Sequence, residues 1–149
     1  MSMFSQTTEY ALRAVVWLAA HRNKPQTTLE IAAQTCVPAG YLSKVLQALG
    51  RANLVSSQRG LYGGFTLARP PHRISVLEVV NAVDPIKRIE TCPLGLKSHG
   101  RELCALHRRL DDAIAHIEKA FSESTVADLL AEPAASHPLC EAAASDERR

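Results

Sequence analysis

Residues 28–65 read Thr28-Leu-Glu-Ile-Ala-Ala-Gln-Thr-Cys-Val-Pro-Ala-Gly-Tyr-Leu-Ser-Lys-Val-Leu-Gln-Ala-Leu-Gly50, then Arg51-Ala-Asn-Leu-Val-Ser-Ser-Gln-Arg-Gly-Leu-Tyr-Gly-Gly-Phe65. The first part predicts two short helices joined by a tight turn. Thr27 or Thr28 caps the first, with Glu30 two or three positions on, and Leu29, Ile31 and Ala32 face inward. Residues 35–37 form the turn, where Cys36 among apolar neighbours reads as a buried structural thiol. Pro38 suits the first position of the next helix, where its missing N–H costs nothing, and Gly50 suits its end. Leu42, Val45, Leu46 and Leu49 recur at helical spacing towards a core, which leaves Pro38, Ala39, Gly40, Tyr41, Ser43, Lys44 and Gln47 on the other side. Residues 54–57 and 65–68 then predict two short strands, joined through a tip that carries Arg59 and the glycines Gly60, Gly63 and Gly64. A helix-turn-helix followed directly by a basic wing implies a DNA-reading device.

The charge distribution agrees. Up to Ile74 there are eight Lys/Arg against two Asp/Glu, and from Ser75 onward nine against thirteen, so a net +6 is followed by −4. A basic first half suits a polyanion, because phosphate neutralisation releases condensed counterions. At 149 residues the chain holds about one domain and a long appendage. Its most apolar segment, residues 11–20, is too short for a bilayer, which needs about 20 apolar residues, and no secretory leader stands out. A cytoplasmic location is expected, with no membrane partner. No paired carboxylates, catalytic triad order or phosphate loop points to an enzyme or a small-molecule substrate; Gly60-x-x-Gly-Gly lies on a hairpin rather than ahead of a helix.

The remaining helices frame this reader. One runs from residues 6–8 to about Ala20, with an apolar stripe of Leu12, Val15, Val16 and Ala19, with Trp17 in the core and with a Glu9–Arg13 pair four apart. Another covers 74–83, with Ser75 and Glu78 as a capping box and Asp84-Pro85 as its stop. From Leu103 the residues Leu106, Leu110, Ile114, Ile117 and Phe121 recur at four, four, three and four. A long amphipathic helix outside the first core needs a partner surface, and a second copy is the simplest, since readers of symmetric sites are twofold dimers. The expected organisation is a winged helix-turn-helix domain over 1–84, a sensor loop over 85–102, a dimerisation helix with a short last helix over 103–131, and a disordered tail over 132–149. The fold class is mainly α with a small β-wing.

Four cysteines in a reducing compartment point to metal or redox chemistry rather than disulfides. Cys92, His99, Cys104 and His107 lie within sixteen residues bounded by Pro and Gly, which is metal-ligand composition. Spacing alone leaves a metal site and two incidental thiols both open, since no Cys-x-x-Cys pair is present.

Thr8-Glu-Tyr-Ala-Leu-Arg13, Gly40-Tyr-Leu-Ser-Lys-Val-Leu-Gln-Ala-Leu49, Leu54-Val-Ser-Ser-Gln-Arg-Gly-Leu-Tyr-Gly-Gly-Phe65, Ile74-Ser-Val-Leu-Glu-Val-Val-Asn-Ala-Val83 and the later Cys…Cys-x-x-His together resemble the Rrf2 family of bacterial regulators. The resemblance spans roughly residues 3–130. It implies a winged-helix homodimer that binds a double-stranded DNA operator, with a long crossed dimerisation helix and often an iron–sulfur cluster in the loop before it. Cluster-binding members carry three evenly spaced cysteines there. Here the outer two match Cys92 and Cys104, but the middle position is Ser98, with His99 beside it. The resemblance further implies His107 as a ligand, with His99 as its substitute, and a carboxylate at Glu9 reaching the site of the other subunit. Mixed ligation favours [2Fe–2S] over [4Fe–4S]. The implied function is a dimeric repressor controlled by a cluster that responds to redox state, nitric oxide or iron–sulfur status. The alternative is a cluster-free regulator sensing by thiol oxidation or protein contacts. Tyr41 and Lys44 would enter the major groove, Gln47 and Arg51 would lie near the backbone, and Arg59 with Gly60 would approach the minor groove; Thr28, Pro38, Gly40 and Ser43 complete the expected DNA surface.

Overall fold

The computed structural model describes residues 3–99 and 102–132. Its helices are α1 (Gln6–Ala20), α2 (Thr28–Thr35), α3 (Ala39–Arg51), α4 (Val76–Val83), α5 (Ala105–Glu123) and α6 (Val126–Ala131). Between α3 and α4 lies a two-stranded antiparallel sheet of β1 (Val55–Gln58) and β2 (Gly64–Leu67), paired Val55 with Leu67 through Gln58 with Gly64. Short 3-10 turns cover Pro71–Arg73 and Lys97–His99. Among the described residues no helix is long and apolar enough to cross a membrane. The tail beyond Glu132, with Cys140, lies outside them, as do residues 100 and 101 of the loop before α5.

α1 is the axis of the core. Ala11, Ala14 and Val15 are fully buried and Leu18 nearly so, because apolar residues occupy more than one stripe of the helix. Small alanines let neighbours approach, and α2, α3, α4, α6 and β2 all pack against α1. α3 contributes Leu42, Val45, Leu46 and Leu49, every one buried, as its helical spacing predicts. Trp17, expected in the core, is only half-buried at its edge. Its ring stacks on His21 at 3.6 Å between centroids, and the His21 Nδ1 lies 2.9 Å from the Trp17 carbonyl oxygen.

Several local expectations shift. Thr27 is the cap of α2: its hydroxyl accepts the Glu30 N–H and the Glu30 carboxylate accepts the Thr27 N–H. Leu29 does not face inward; it is 73% exposed, because an eight-residue helix packed on α1 and α3 buries only its Ile31, Ala32 and Thr35 side. α3 runs past Gly50 to Arg51, with Pro38 as its cap residue. The left-handed turn that follows is taken by Asn53, at φ 58°, rather than by Gly50, and asparagine tolerates that conformation better than most residues.

α4 begins at a capping box. The Ser75 hydroxyl accepts the Glu78 N–H at 3.1 Å, and the Glu78 carboxylate accepts the Ser75 N–H at 2.9 Å. Arg69 donates to the same carboxylate at 2.8 Å. Partial burial pushes the Glu78 pKa up, but the Ser75 N–H and the Arg69 guanidinium outweigh it and hold the carboxyl below its ordinary value. The Val76 N–H donates to the Ser124 carbonyl and the Val126 N–H to the Ile74 carbonyl. This backbone bridge brings α6 back to α1, and Val126 is fully buried in the core. The last helix therefore packs with the winged domain instead of extending the α5 surface.

Replacing Ser75 by Ala removes one half of the box at the start of α4. It is expected to lower unfolding free energy by about 1 kcal/mol, read as a shifted urea midpoint with an unchanged slope.

Candidate functional site

The exposed face of α3 collects the residues expected to meet DNA. Pro38, Gly40, Tyr41, Ser43, Lys44 and Gln47 are all exposed there, Arg51 is exposed at the helix end, and Thr28 is half-buried at the start of α2. Tyr41 is 50% exposed and is held edge-on against Tyr10, 5.7 Å between ring centroids at 78°. The Arg13 guanidinium lies over the Tyr10 ring at 5.6 Å. Arg13 also pairs with Glu9 at 3.2 Å and donates to the Thr35 carbonyl at 3.3 Å. One face of α1 thereby braces both the helix-turn-helix turn and the ring at the head of α3. The Glu9–Arg13 pair was legible from spacing. The Tyr10–Tyr41 contact was not, because the two rings are far apart in sequence and meet only when α3 packs on α1.

Between α3 and the hairpin runs an open groove of about 630 Å³, lined in part by Gln47, Arg51, Asn53, Ser56 and Ser57. Ser56, Ser57 and Asn53 are polar, exposed and turned to the same space as the helix face. Nothing in the sequence marks them, since Ser56 and Ser57 read there only as part of a strand. Arg59 and Gly60 are exposed at the hairpin tip, with Gly60 at φ 107°. The hairpin is tied to the segment before α2 by a bridge at Phe65, one rung from the tip: the Gln26 N–H donates to the Phe65 carbonyl at 3.0 Å and the Phe65 N–H donates to the Gln26 carbonyl at 2.7 Å.

Cys36 departs from expectation. It sits in the left-handed position ending α2, at φ 56°, exposed and engaged in a disulfide, rather than buried as a structural thiol. The tight turn needs a residue at positive φ there, and that geometry points the side chain outward instead of into the core.

The second candidate region is the loop before α5. Cys92 and Cys104 are free thiols and half-buried. Cys104 is the cap residue of α5, and its sulfur lies 3.3 Å from the Nδ1 of His107, one turn on. His99 is half-buried, and its Nδ1 is buried without a hydrogen-bond partner. Among the described residues no three His, Cys, Asp or Glu side chains gather closely enough to hold a metal ion. Within one chain the fold thus unites Cys104 with His107 and leaves Cys92, His99 and Glu9 apart from a complete ligand set.

This loop is clasped to α5. Arg88 donates through Nε and Nη2 to both oxygens of Asp111 at 2.8 and 2.7 Å, and the Ile89 N–H donates to the same carboxylate at 2.9 Å. The Arg88 bonds first, then the Ile89 amide, hold the Asp111 pKa down at about 2. The apolar side of α5 is only partly covered: no residue of α5 is fully buried among the described residues, Leu106 and Leu110 are exposed, and Ile114, Ile117 and Phe121 are half-buried, Phe121 with its ring 5.3 Å from that of Phe4.

The sequence model of the Rrf2 family, described as iron-dependent transcriptional regulators, matches residues 4–132. The regulator NsrR of Geobacillus kaustophilus is 30% identical over 138 residues, covering 89% of this chain and 92% of that protein. Among solved structures, CymR, described as the global cysteine regulator of B. subtilis, superposes with a TM-score of 0.70 at 25% identity, covering 90% of this chain and 100% of that one. The T. potens IscR structure superposes at 0.72 with 24% identity, over 91% and 94%, which shows the shared fold.

A carboxylate whose pKa is depressed on folding stabilises above its unfolded value and loses that contribution as pH falls through the folded one. The clasp is therefore expected to stay intact at neutral pH and to loosen only as pH drops from about 4 towards 2. Asp111→Ala should release it at pH 7, read as faster hydrogen exchange at the Ile89 amide with α1 and α3 protected as before.

Proposed function

The chain belongs to the Rrf2 family of transcriptional regulators, and from that premise we propose that it acts as a homodimeric repressor whose operator binding is set by an iron–sulfur cluster. The observation that carries the reading half is an open groove between the exposed polar face of α3 and the serines of β1, on a hairpin whose tip carries the exposed Arg59. α3 lies in the major groove, where Lys44 donates to guanine O6/N7 or to phosphate and Tyr41 makes apolar contact. Gln47, Arg51 and the serines of β1 follow the backbone, and Arg59 enters the minor groove, whose narrow segments concentrate negative potential. The apolar side of α5 supplies the dimer contact: Leu106, Leu110, Ile114, Ile117 and Phe121 share it, the first two exposed and the other three only half-buried in their own chain.

For the control half, the donors fit a cluster in part. Cys104 and His107 are already side by side, and Cys92 is a free thiol on the same loop. The buried, unpartnered His99 Nδ1 is a spare donor. Glu9 is reserved for the site of the partner subunit, which accounts for a ligand set that one chain leaves unfinished. Such a cluster supplies a centre that changes charge and ligand number on reduction or attack by nitric oxide. The [2Fe–2S] form suits mixed thiolate, imidazole and carboxylate ligands better than [4Fe–4S]. Glu9 also holds Arg13, which lies over Tyr10 behind Tyr41, so recruitment of Glu9 to the partner's loop would be felt at the head of α3.

One observation favours the second reading, a cluster-free thiol sensor. Among the described residues no three ligand side chains meet, and the fold is shared with CymR, described as the global cysteine regulator of B. subtilis. Cys92 and Cys104 would then be the oxidisable thiols.

Two outcomes test this section. Arg59→Ala is expected to weaken operator binding by about 1–3 kcal/mol, measured as isotherms over a range of salt; unchanged affinity at moderate salt counts against the wing assignment. Anaerobically purified chain should carry iron and sulfide and absorb in the visible, and Cys92→Ser or Cys104→Ser should abolish both. Colourless, iron-free protein after anaerobic reconstitution would reject the cluster and leave the thiol sensor.

A further inference from the structure

The hairpin tip contains more than Arg59. A hydrogen bond from the Gly63 N–H to the Gly60 carbonyl, 3.0 Å long, closes a turn whose two corner residues are Leu61 and Tyr62. Such corners are ordinarily filled by Gly, Pro, Asn, Asp or Ser, which meet the backbone's needs. Neither side chain serves the fold: Leu61 is 92% exposed and Tyr62 85% exposed. They are the two most exposed large apolar residues among those described, and they are adjacent. Water contact over two neighbouring apolar side chains costs free energy, so their presence at a turn asks for an occupant.

The glycines that follow this turn are closely packed. A Cβ at Gly63 would meet the Gln58 carbonyl oxygen and come within 2.9 Å of the Gly60 oxygen, and one at Gly64, at φ 149°, would come within 2.6 Å of the Gln26 backbone. The chain closes on itself and on the head there with no space for side chains. The Gln26 bridge fastens the hairpin at Phe65, two residues past the turn that carries Leu61 and Tyr62.

We propose that Leu61 and Tyr62 form an apolar wedge that the wing presses into the minor groove beside Arg59, and that they set operator preference at the wing-facing flanks through the deformability of the base step they enter. The inference rests on the DNA-reading assignment above. The occupant is DNA because the wedge adjoins the Arg59 cation within the basic half of the chain, on the hairpin whose β1 strand lines the groove with α3. Apolar side chains that wedge between base steps unstack them, at a cost lowest for flexible pyrimidine–purine steps. A wing with only Arg59 would instead favour a stiff, narrow A-tract.

The test uses the full chain and duplexes selected by it from a randomised pool. In the selected duplex, the flanking step is changed among TA, CA, AA and GG with the central sequence kept. The wild-type chain is expected to bind TA or CA flanks about tenfold more tightly than AA or GG. The double variant Leu61→Ser/Tyr62→Ser should level that preference to within about twofold, with an unchanged salt slope and central-sequence preference. Flexible flanks carrying 2-aminopurine should brighten on binding the wild-type chain only. A wild-type chain indifferent to the flank, or a double variant that still discriminates, overturns the proposal while leaving the reader intact. A double variant with an altered oligomeric state in the absence of DNA also overturns it, by assigning the tip to a chain–chain contact. Failure of the wild-type chain to select any duplex would bring down the DNA-reading assignment together with the wedge.

Discussion

The burial of α1 is the constraint on which the other elements depend. A helix with Ala11, Ala14 and Val15 wholly excluded from water and Leu18 almost so keeps only a polar edge at the surface. It must be enclosed, and α2, α3, α4, α6 and β2 enclose it. Once they do, the exposed side of α3 and the hairpin are positioned by the same axis, and the Gln26 bridge adds a second attachment for the hairpin. Large-to-small changes at Leu46 or Leu49 would therefore disturb the reading surface as well as stability, since the residues that bury α3 also aim it.

The polar edge of α1 has a different task. Glu9, Arg13 and Tyr10 lie within two turns and connect outward by an ion pair, a cation over a ring and an edge-on aromatic contact. Each is a weak interaction, on the order of 1 kcal/mol or less at a partly exposed site. Such contacts are directional and rearrange at small cost, whereas the apolar side of α1 has no such freedom. The Arg88–Asp111 clasp follows the same logic at the other end of the molecule: it ties an irregular segment to α5 by a bidentate pair and a backbone amide without adding apolar core. The structure thus separates a tightly buried frame from polar attachments that hold the loop carrying Cys92 and the head of α3.

Periodicity and capping chemistry determined much of this molecule from its sequence. Leu42, Val45, Leu46 and Leu49 declared the buried side of α3, and hence its exposed side. Ser75 with Glu78 declared the start of α4, and the glycine-rich tip declared the hairpin. These are local rules, satisfied by backbone bonds and side-chain spacing within a few residues, so one sequence suffices to read them. The family's motifs lie on the same elements. Tertiary structure alone decided what depends on distant segments meeting. Leu29 is exposed because α2 is covered on one side only, and Cys36 points outward because the turn demands positive φ. Tyr41 is held by Tyr10, the hairpin is fastened at Gln26, and α6 returns to the core through the Ser75–Thr125 bridge. Pairings of this kind carry no periodic signature, since they are set by the shapes left when α1 is buried, and that burial is a property of the assembled chain.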